Sequence, residues 1–187
     1  MEKFKKSLKT GTRGFVNVGT GGYLLMEEIV IKDYIEDYKD DIIDLILDIQ
    51  QNEFNISINR QDQPDLSNIT EFYQRGNGNF WAAFYDSRLV GTISLLDIGN
   101  HQGALRKLFV KAAFRGSRYN TAKLLLLQLI KWAKEHDIYD IYLGTTEKFL
   151  AAHRFYEKNK FTIIAKETLP NAFPIMKVDT IFYSLKI

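Results

Sequence analysis

Residues 105–122 carry the chain from an apolar strand, Leu105 to Val110, through a short polar turn and straight into a long helix. Tyr119, Ala122, Leu126, Leu129, Ile130 and Ala133 form one apolar stripe along that helix, so it packs on the strand that precedes it. The turn, Arg115 to Thr121, then presents backbone N–H groups at a helix N-terminus, where they lack intrahelical partners and where the helix dipole favours negative charge. A phosphorylated cofactor suits such a cradle. Every α/β fold contains turns of this kind, so the segment by itself is equally an ordinary strand-to-helix connection.

The remaining elements follow from periodicity and turn chemistry. Glu28–Asp33 alternates as a strand, and Asp40–Gln51 places Ile42, Ile43, Leu45, Ile46 and Ile49 at helical spacing. Asn52–Pro64 is polar and reads as a loop, and Asp65–Tyr73 as a short second helix. Arg75–Asn79 is a turn, and the strands Phe80–Tyr85 and Leu89–Ile98 form a hairpin about Asp86-Ser87. After the strand ending at Val110 and the long helix come a strand at Ile138–Gly144, a helix at Phe149–Lys158 and strands at Phe161–Lys166 and Lys177–Leu185. The pattern alone establishes a mixed α/β domain with helices packed on a sheet.

A chain of 187 residues, 45% of them hydrophobic, suits one domain with a sizeable core. The net charge of +2 comes from dispersed Lys and Arg, which argues against nucleic acid as a partner. The absence of cysteine removes disulfides, thiolate metal sites and cysteine nucleophiles, and three scattered histidines make no metal site. No segment reads as a membrane span or an export signal, so the expected location is cytoplasmic with no membrane partner. The run Gly19–Gly22 fits no phosphate-binding spacing. Residues 1–25 read as an appended arm, a cloning remnant or an upstream extension, and residues 26–187 as the single domain.

A second segment sharpens the reading. Ala152, Tyr156, Glu157, Lys158 and Phe161 match the pattern Ala-x-x-x-Tyr-Glu-Lys-x-Gly-Phe, and Arg115-Gly116-Ser117-Arg118-Tyr119-Asn120 aligns with (Gln/Arg)-x-x-Gly-x-(Gly/Ala). In these two blocks the chain resembles the GNAT superfamily of acyl-CoA N-acyltransferases, and the element order β-α-α-β-β-β-α-β-α-β-β over residues 27–187 is that of its α+β fold, a mixed, mostly antiparallel sheet flanked by helices. Arg118 and Asn120 stand at the loop's two glycine positions, Lys160 stands where glycine is usual, and Phe149 replaces an asparagine often seen seven residues before the tyrosine. Glycine serves where φ is positive or backbone approaches a ligand. Asparagine tolerates the left-handed region well, and Arg118 adds a cation for phosphate. Asn159 or Lys160 ends the helix in a left-handed turn, at a cost of about 1 kcal/mol or more where Lys160 takes it.

The resemblance implies acetyl-CoA as co-substrate. Its pantetheine arm lies between two splayed strands against the backbone of Leu108, Phe109 and Val110, and its diphosphate on Gly116, Ser117, Arg118, Tyr119, Asn120 and Thr121, with Arg115 supporting the turn or the phosphates. The reaction implied is direct acetyl transfer to a primary amine of a small molecule or peptide. Tyr156 is the proton donor to the leaving thiolate, since a phenol stays protonated at neutral pH, and a backbone N–H near Phe109 or Val110 the oxyanion donor. No residue declares itself as the base. Asp97 and Glu71 are the candidates, and His101 and His153, without a visible orienting partner, read as structural or exposed. The loop Leu169–Met176 is expected to wall the acceptor pocket. The other readings are a non-catalytic acyl-CoA-binding module of the same fold, prompted by the altered loop glycines, and an interaction domain forming a homodimer through the arm or the last strand.

Overall fold

The computed structural model describes residues 28–187, together with the backbone of Phe15–Asn17 (β1) paired antiparallel with Tyr23–Leu25 (β2). The expected boundary near residue 26 and the run Gly19–Gly22 lie outside the described residues.

Four strands, Val30–Asp33 (β3), Asn79–Tyr85 (β4), Arg88–Gly99 (β5) and Gln102–Val110 (β6), pair antiparallel in chain order. The β4–β5 turn places Asp86 and Ser87 at φ 47° and 60°, which matches the twist of a two-residue hairpin. Asp140–Thr145 (β7) runs parallel to β6, and Ile181–Lys186 (β9) lies between β7 and the edge strand Thr162–Ile164 (β8), giving the order β3-β4-β5-β6-β7-β9-β8.

Both faces of the sheet are covered, and β4 shows it by period two. Phe80, Ala82 and Phe84 pack toward the helix Lys39–Asp48 (α1), whereas Trp81 and Ala83 pack toward the helix Thr121–Glu135 (α4). α1 buries Ile42, Ile43, Leu45 and Ile46, and its chain runs on through one wider, π-helical turn, Ile49–Glu53. On α4 the deepest apolar residues are Leu125, Leu126, Leu129 and Ala133, so Leu125 belongs to the stripe and the half-buried Ile130 only borders it. The last helix, Leu150–Lys158 (α5), lies against the same face as α4.

Three expected elements change. The second helix is two pieces, Pro64–Ser67 (α2) and Ile69–Tyr73 (α3), parted at Asn68, whose φ/ψ of −142°/61° is not helical. The strand read at Phe161–Lys166 shrinks to Thr162–Ile164. The final strand starts at Ile181 rather than Lys177, because the Asp179 carboxylate accepts the Met176 N–H at 2.9 Å and closes a turn there. Among the described residues no helix is long and apolar enough to cross a membrane, and no acidic or histidine cluster is placed to hold a metal ion.

α5 ends on Lys160 at φ 73°, the left-handed conformation that glycine adopts without cost. Lys160→Gly is expected to stabilise the fold by up to about 1 kcal/mol, a rise in Tm of about 2–4 °C for a chain of this size. A melting temperature unchanged or lowered would show that the lysine is not strained.

Candidate active site

β6 and β7 pair only over Gln102–Ala104 with Asp140–Tyr142, and beyond Ala104 they separate. Between Leu105–Val110 on one side and Gly144–Thr146 on the other lies a cavity of about 320 Å³, closed by α5 and by the loop before β9. A strand that loses its neighbour leaves backbone N–H and C=O groups on that edge without ladder partners. The separation therefore exposes a row of backbone donors and acceptors inside the molecule.

At one end the cavity reaches the turn before α4. Gly116 has φ 82°, Asn120 is left-handed at φ 52°, and no side chain caps the first turn of α4. The Thr121 hydroxyl instead donates to the Phe114 carbonyl at 2.9 Å, which leaves the first-turn N–H groups of a fifteen-residue helix for an anion. A Cβ at Gly116 would meet nothing within 4 Å, so the cradle is open. The Arg115 Nε donates to the Val110 carbonyl at 2.7 Å and its guanidinium grips Glu53 bidentately, tying the turn to the end of α1. Arg118 lies over the Tyr119 ring, 5.1 Å from its centroid.

At the other end β6 carries a bulge. Thr92 pairs with Phe109 and Ser94 with Arg106, leaving Lys107 and Leu108 opposite Ile93, and Lys107 sits at φ 54°. Its buried side chain ends on two partners, Asp65 at 3.1 Å and Gln63 at 2.7 Å. The Tyr73 hydroxyl also donates to Asp65 at 2.5 Å, and Arg106 lies 3.8 Å from it. Burial alone would raise the Asp65 carboxyl, but Lys107, Arg106 and the phenol together outweigh it and hold it below the ordinary range. Burial and the neighbouring Arg106 push Lys107 down to about 8 against the pull of Asp65.

Two more titratable groups face the cavity. Among the described residues Asp179 is the one carboxylate on its wall, and burial raises it although the Met176 N–H, Arg106 and Lys107 act the other way. Tyr156 on α5 is also on the wall, 6% exposed, and its hydroxyl has no hydrogen bond among the described residues. Burial raises this phenol, with Tyr183 and Asp179 adding to the effect, so it stays protonated well beyond neutral pH.

The sequence model described as the Acetyltransferase (GNAT) family matches residues 43–161, more than half of the chain. The chain belongs to that family. A GNAT-family acetyltransferase of Staphylococcus aureus Mu50 is 43% identical, with a TM-score of 0.81 over 84% of this chain and 98% of that one. The PaiA N-acetyltransferase of Thermoplasma acidophilum, solved in complex with coenzyme A, is 18% identical with a TM-score of 0.66 over 86% of this chain and 99% of that one, a likeness of fold alone. The N-acetylaspartate synthetase of Xenopus tropicalis is 32% identical over 101 residues, 52% of this chain and 36% of that protein. The chain thus spans about a third of the length of the first curated relatives it matches.

Within this GNAT domain, Leu108, Phe109, Val110, Arg115, Gly116 and Tyr156 come together on the cavity, and Ser117 to Thr121 continue the turn at its open end. Asp97 and Glu71 do not join them. Asp97 accepts the N–H groups of Asn77 and Gly99 at the far end of β5, and Glu71 pairs with Arg75 one turn along α3, 58% exposed. His101 bonds the Asp137 carbonyl at 2.7 Å, and His153 the Thr146 carbonyl and the Tyr183 hydroxyl, so both are held structurally. Phe173, Pro174 and Met176 of the loop before β9 do wall the cavity. Asp65, Arg106, Lys107 and Asp179 were not anticipated. Arg106-Lys107 carried a signal, since adjacent cations inside a strand covered on both faces put one charge on each buried face and each then needs a partner.

Proposed function

We propose that this protein transfers the acetyl group of acetyl-CoA directly to a primary amine of a small molecule or peptide within a ternary complex. The observation that carries this reading is one continuous cavity running from the uncapped N-terminus of α4, along the freed edge of β6, to Tyr156 and Asp179. Gly116 to Thr121 fit the diphosphate, and the backbone of Leu108 to Val110 fits the pantetheine arm as an added strand does. Bound acetyl-CoA supplies a thioester carbonyl to the closed end of the cavity.

There the chain's own residues handle the protons. Asp179, held above the ordinary carboxylate range, is suited to take the proton that an amine gives up as its C–N bond forms. Tyr156 donates a proton to the departing sulfur as the C–S bond breaks, so the amine loses one hydrogen and the sulfur gains one. An acceptor that arrives as an ammonium ion releases one further proton to solvent.

Calorimetric titration with acetyl-CoA, followed by thiol release with a panel of amines, tests the reading. Saturable one-to-one binding and amine-dependent release of CoA are expected, and no binding at millimolar ligand would overturn it. Arg115→Ala removes the strut between the turn, Val110 and Glu53, and is expected to weaken acetyl-CoA binding about tenfold, or about 1.4 kcal/mol. Unchanged affinity would count against the turn as the phosphate site.

A further inference from the structure

We propose that the acceptor is an aminocarboxylic acid whose carboxylate is bound by Arg106, an inference that rests on the acetyl-transfer reading. The Arg106 side chain is only 9% exposed and lies on the cavity wall. Its Nη2 aims at the Met176 sulfur and stands 3.8 Å from Asp65, too far for a hydrogen bond. The Nε and Nη1 groups have no hydrogen bond among the described residues. The ring centroids of Phe72 and Tyr73 lie 5.7 and 6.0 Å from the guanidinium carbon, within reach of cation–π contact. A buried guanidinium with most of its fork open is costly unless an anion completes it, and a carboxylate completes it with two parallel hydrogen bonds.

The local charge balance points the same way. Asp65 is already committed to Lys107 and to the Tyr73 hydroxyl, so two cations share one ionised carboxylate. The other carboxylate near them, Asp179, accepts the Met176 N–H and makes no ion pair with either cation among the described residues. At the closed end two cations thus lean on one carboxylate, on a wall otherwise built from groups such as Leu105, Ile58, Phe173 and Met176. A polyamine would add cations to that end and meet repulsion. An aminocarboxylate brings the missing anion to Arg106 and turns its amine toward Asp179 on the same wall.

The position along β6 agrees with this division of the cavity. Arg106 precedes Val110 by four residues, at most about 13 Å of chain across the bulge, and Val110 adjoins the turn before α4. The anion-binding turn and the open guanidinium thus stand at opposite ends of the freed edge, one for the cofactor's phosphates and the other for the acceptor.

The test is thiol release at saturating acetyl-CoA with aspartate, glutamate and β-alanine, each set beside its carboxamide, together with spermidine and O-phosphoethanolamine. The acids are expected to exceed the matched amides by about 30-fold or more in kcat/KM. Arg106→Gln is expected to raise KM for the acids about 10- to 100-fold, the range of one lost charge-assisted contact, with the acetyl-CoA dissociation constant unchanged within about twofold. Arg106→Lys, which keeps the charge without the fork, should fall between. If Arg106→Gln fails to fold in a melting assay, Arg106→Lys alone decides, and a KM equal to that of the parent overturns the proposal. Amides, spermidine or O-phosphoethanolamine equal to or better than the acids would also overturn it while leaving acetyl transfer intact. Loss of acetyl-CoA binding by the parent protein would instead remove the reading on which it rests.

Discussion

Tyr156→Phe is expected to lower kcat by about 100- to 1000-fold, within the range of a lost general acid, with acetyl-CoA affinity unchanged within about twofold. Phe161, Tyr183 and Phe155 surround the Tyr156 ring, with centroids 5.6, 5.7 and 5.8 Å away, so the ring stays in place without its oxygen. The hydroxyl has no partner among the described residues, and its removal breaks no structural hydrogen bond. The fold should consequently lose less than about 0.5 kcal/mol, as for a substitution touching no such feature, and the kinetic change reports chemistry rather than folding. Because burial holds the phenol above its ordinary value, the parent enzyme should keep its proton donor through pH 10, with no alkaline loss of kcat from this group. Single-turnover and steady-state rates on the two proteins check it. Equal turnover would refute the proton-donor role.

Element order was legible from the chain because most elements are locally consistent. The β4–β5 hairpin, the amphipathic α4 and the Tyr156 helix each declare themselves within a dozen residues, and the two short blocks about Arg115 and Tyr156 marked both walls of the cavity. The charged cluster was not legible, because its members come from distant parts of the chain. Asp65 and Lys107 are brought to 3.1 Å only when α2 packs on the bulge of β6, and Asp179 reaches the cavity from a turn that reads as strand. Asp97, at the end of its strand, and Glu71, on the second helix, were the carboxylates expected to face the acceptor cleft, yet local partners occupy both, the backbone of Asn77 and Gly99 for one and Arg75 for the other. Of the three residues at glycine positions, Arg118 keeps a negative φ and the other two do not. Asn120 and Lys160 do take positive φ, the first at little cost in an asparagine and the second under strain.

Asp65→Asn should produce the largest loss of stability, about 3–5 kcal/mol, the range for removing one partner of a buried ion pair, and so a fall in Tm of about 6–20 °C. Asparagine keeps the shape and still accepts from Tyr73, so what is lost is the negative charge that Lys107 and Arg106 share. Lys107, already down at about 8, can shed its proton. Without Asp65 the value for Lys107 falls further, and the lysine escapes the unpaired charge by becoming neutral. The sign of the pH dependence follows. Between about 8 in the folded protein and about 10.4 in the unfolded chain, the unfolded state binds more protons, so stability rises with pH across that window. At the acid end Asp65, lowered in the folded state, contributes stability that is present above about pH 4 and is lost as pH falls through its folded value. Denaturant titrations at pH 7 and pH 9 should therefore show a deficit for Asp65→Asn that shrinks at the higher pH. Adding Lys107→Met to the variant should recover much of the loss, because the uncompensated cation is then gone. A deficit below about 1 kcal/mol, no larger than for an exposed pair, would mean that the cluster is open to water and that the charge balance assigned to the acceptor end of the cavity is wrong.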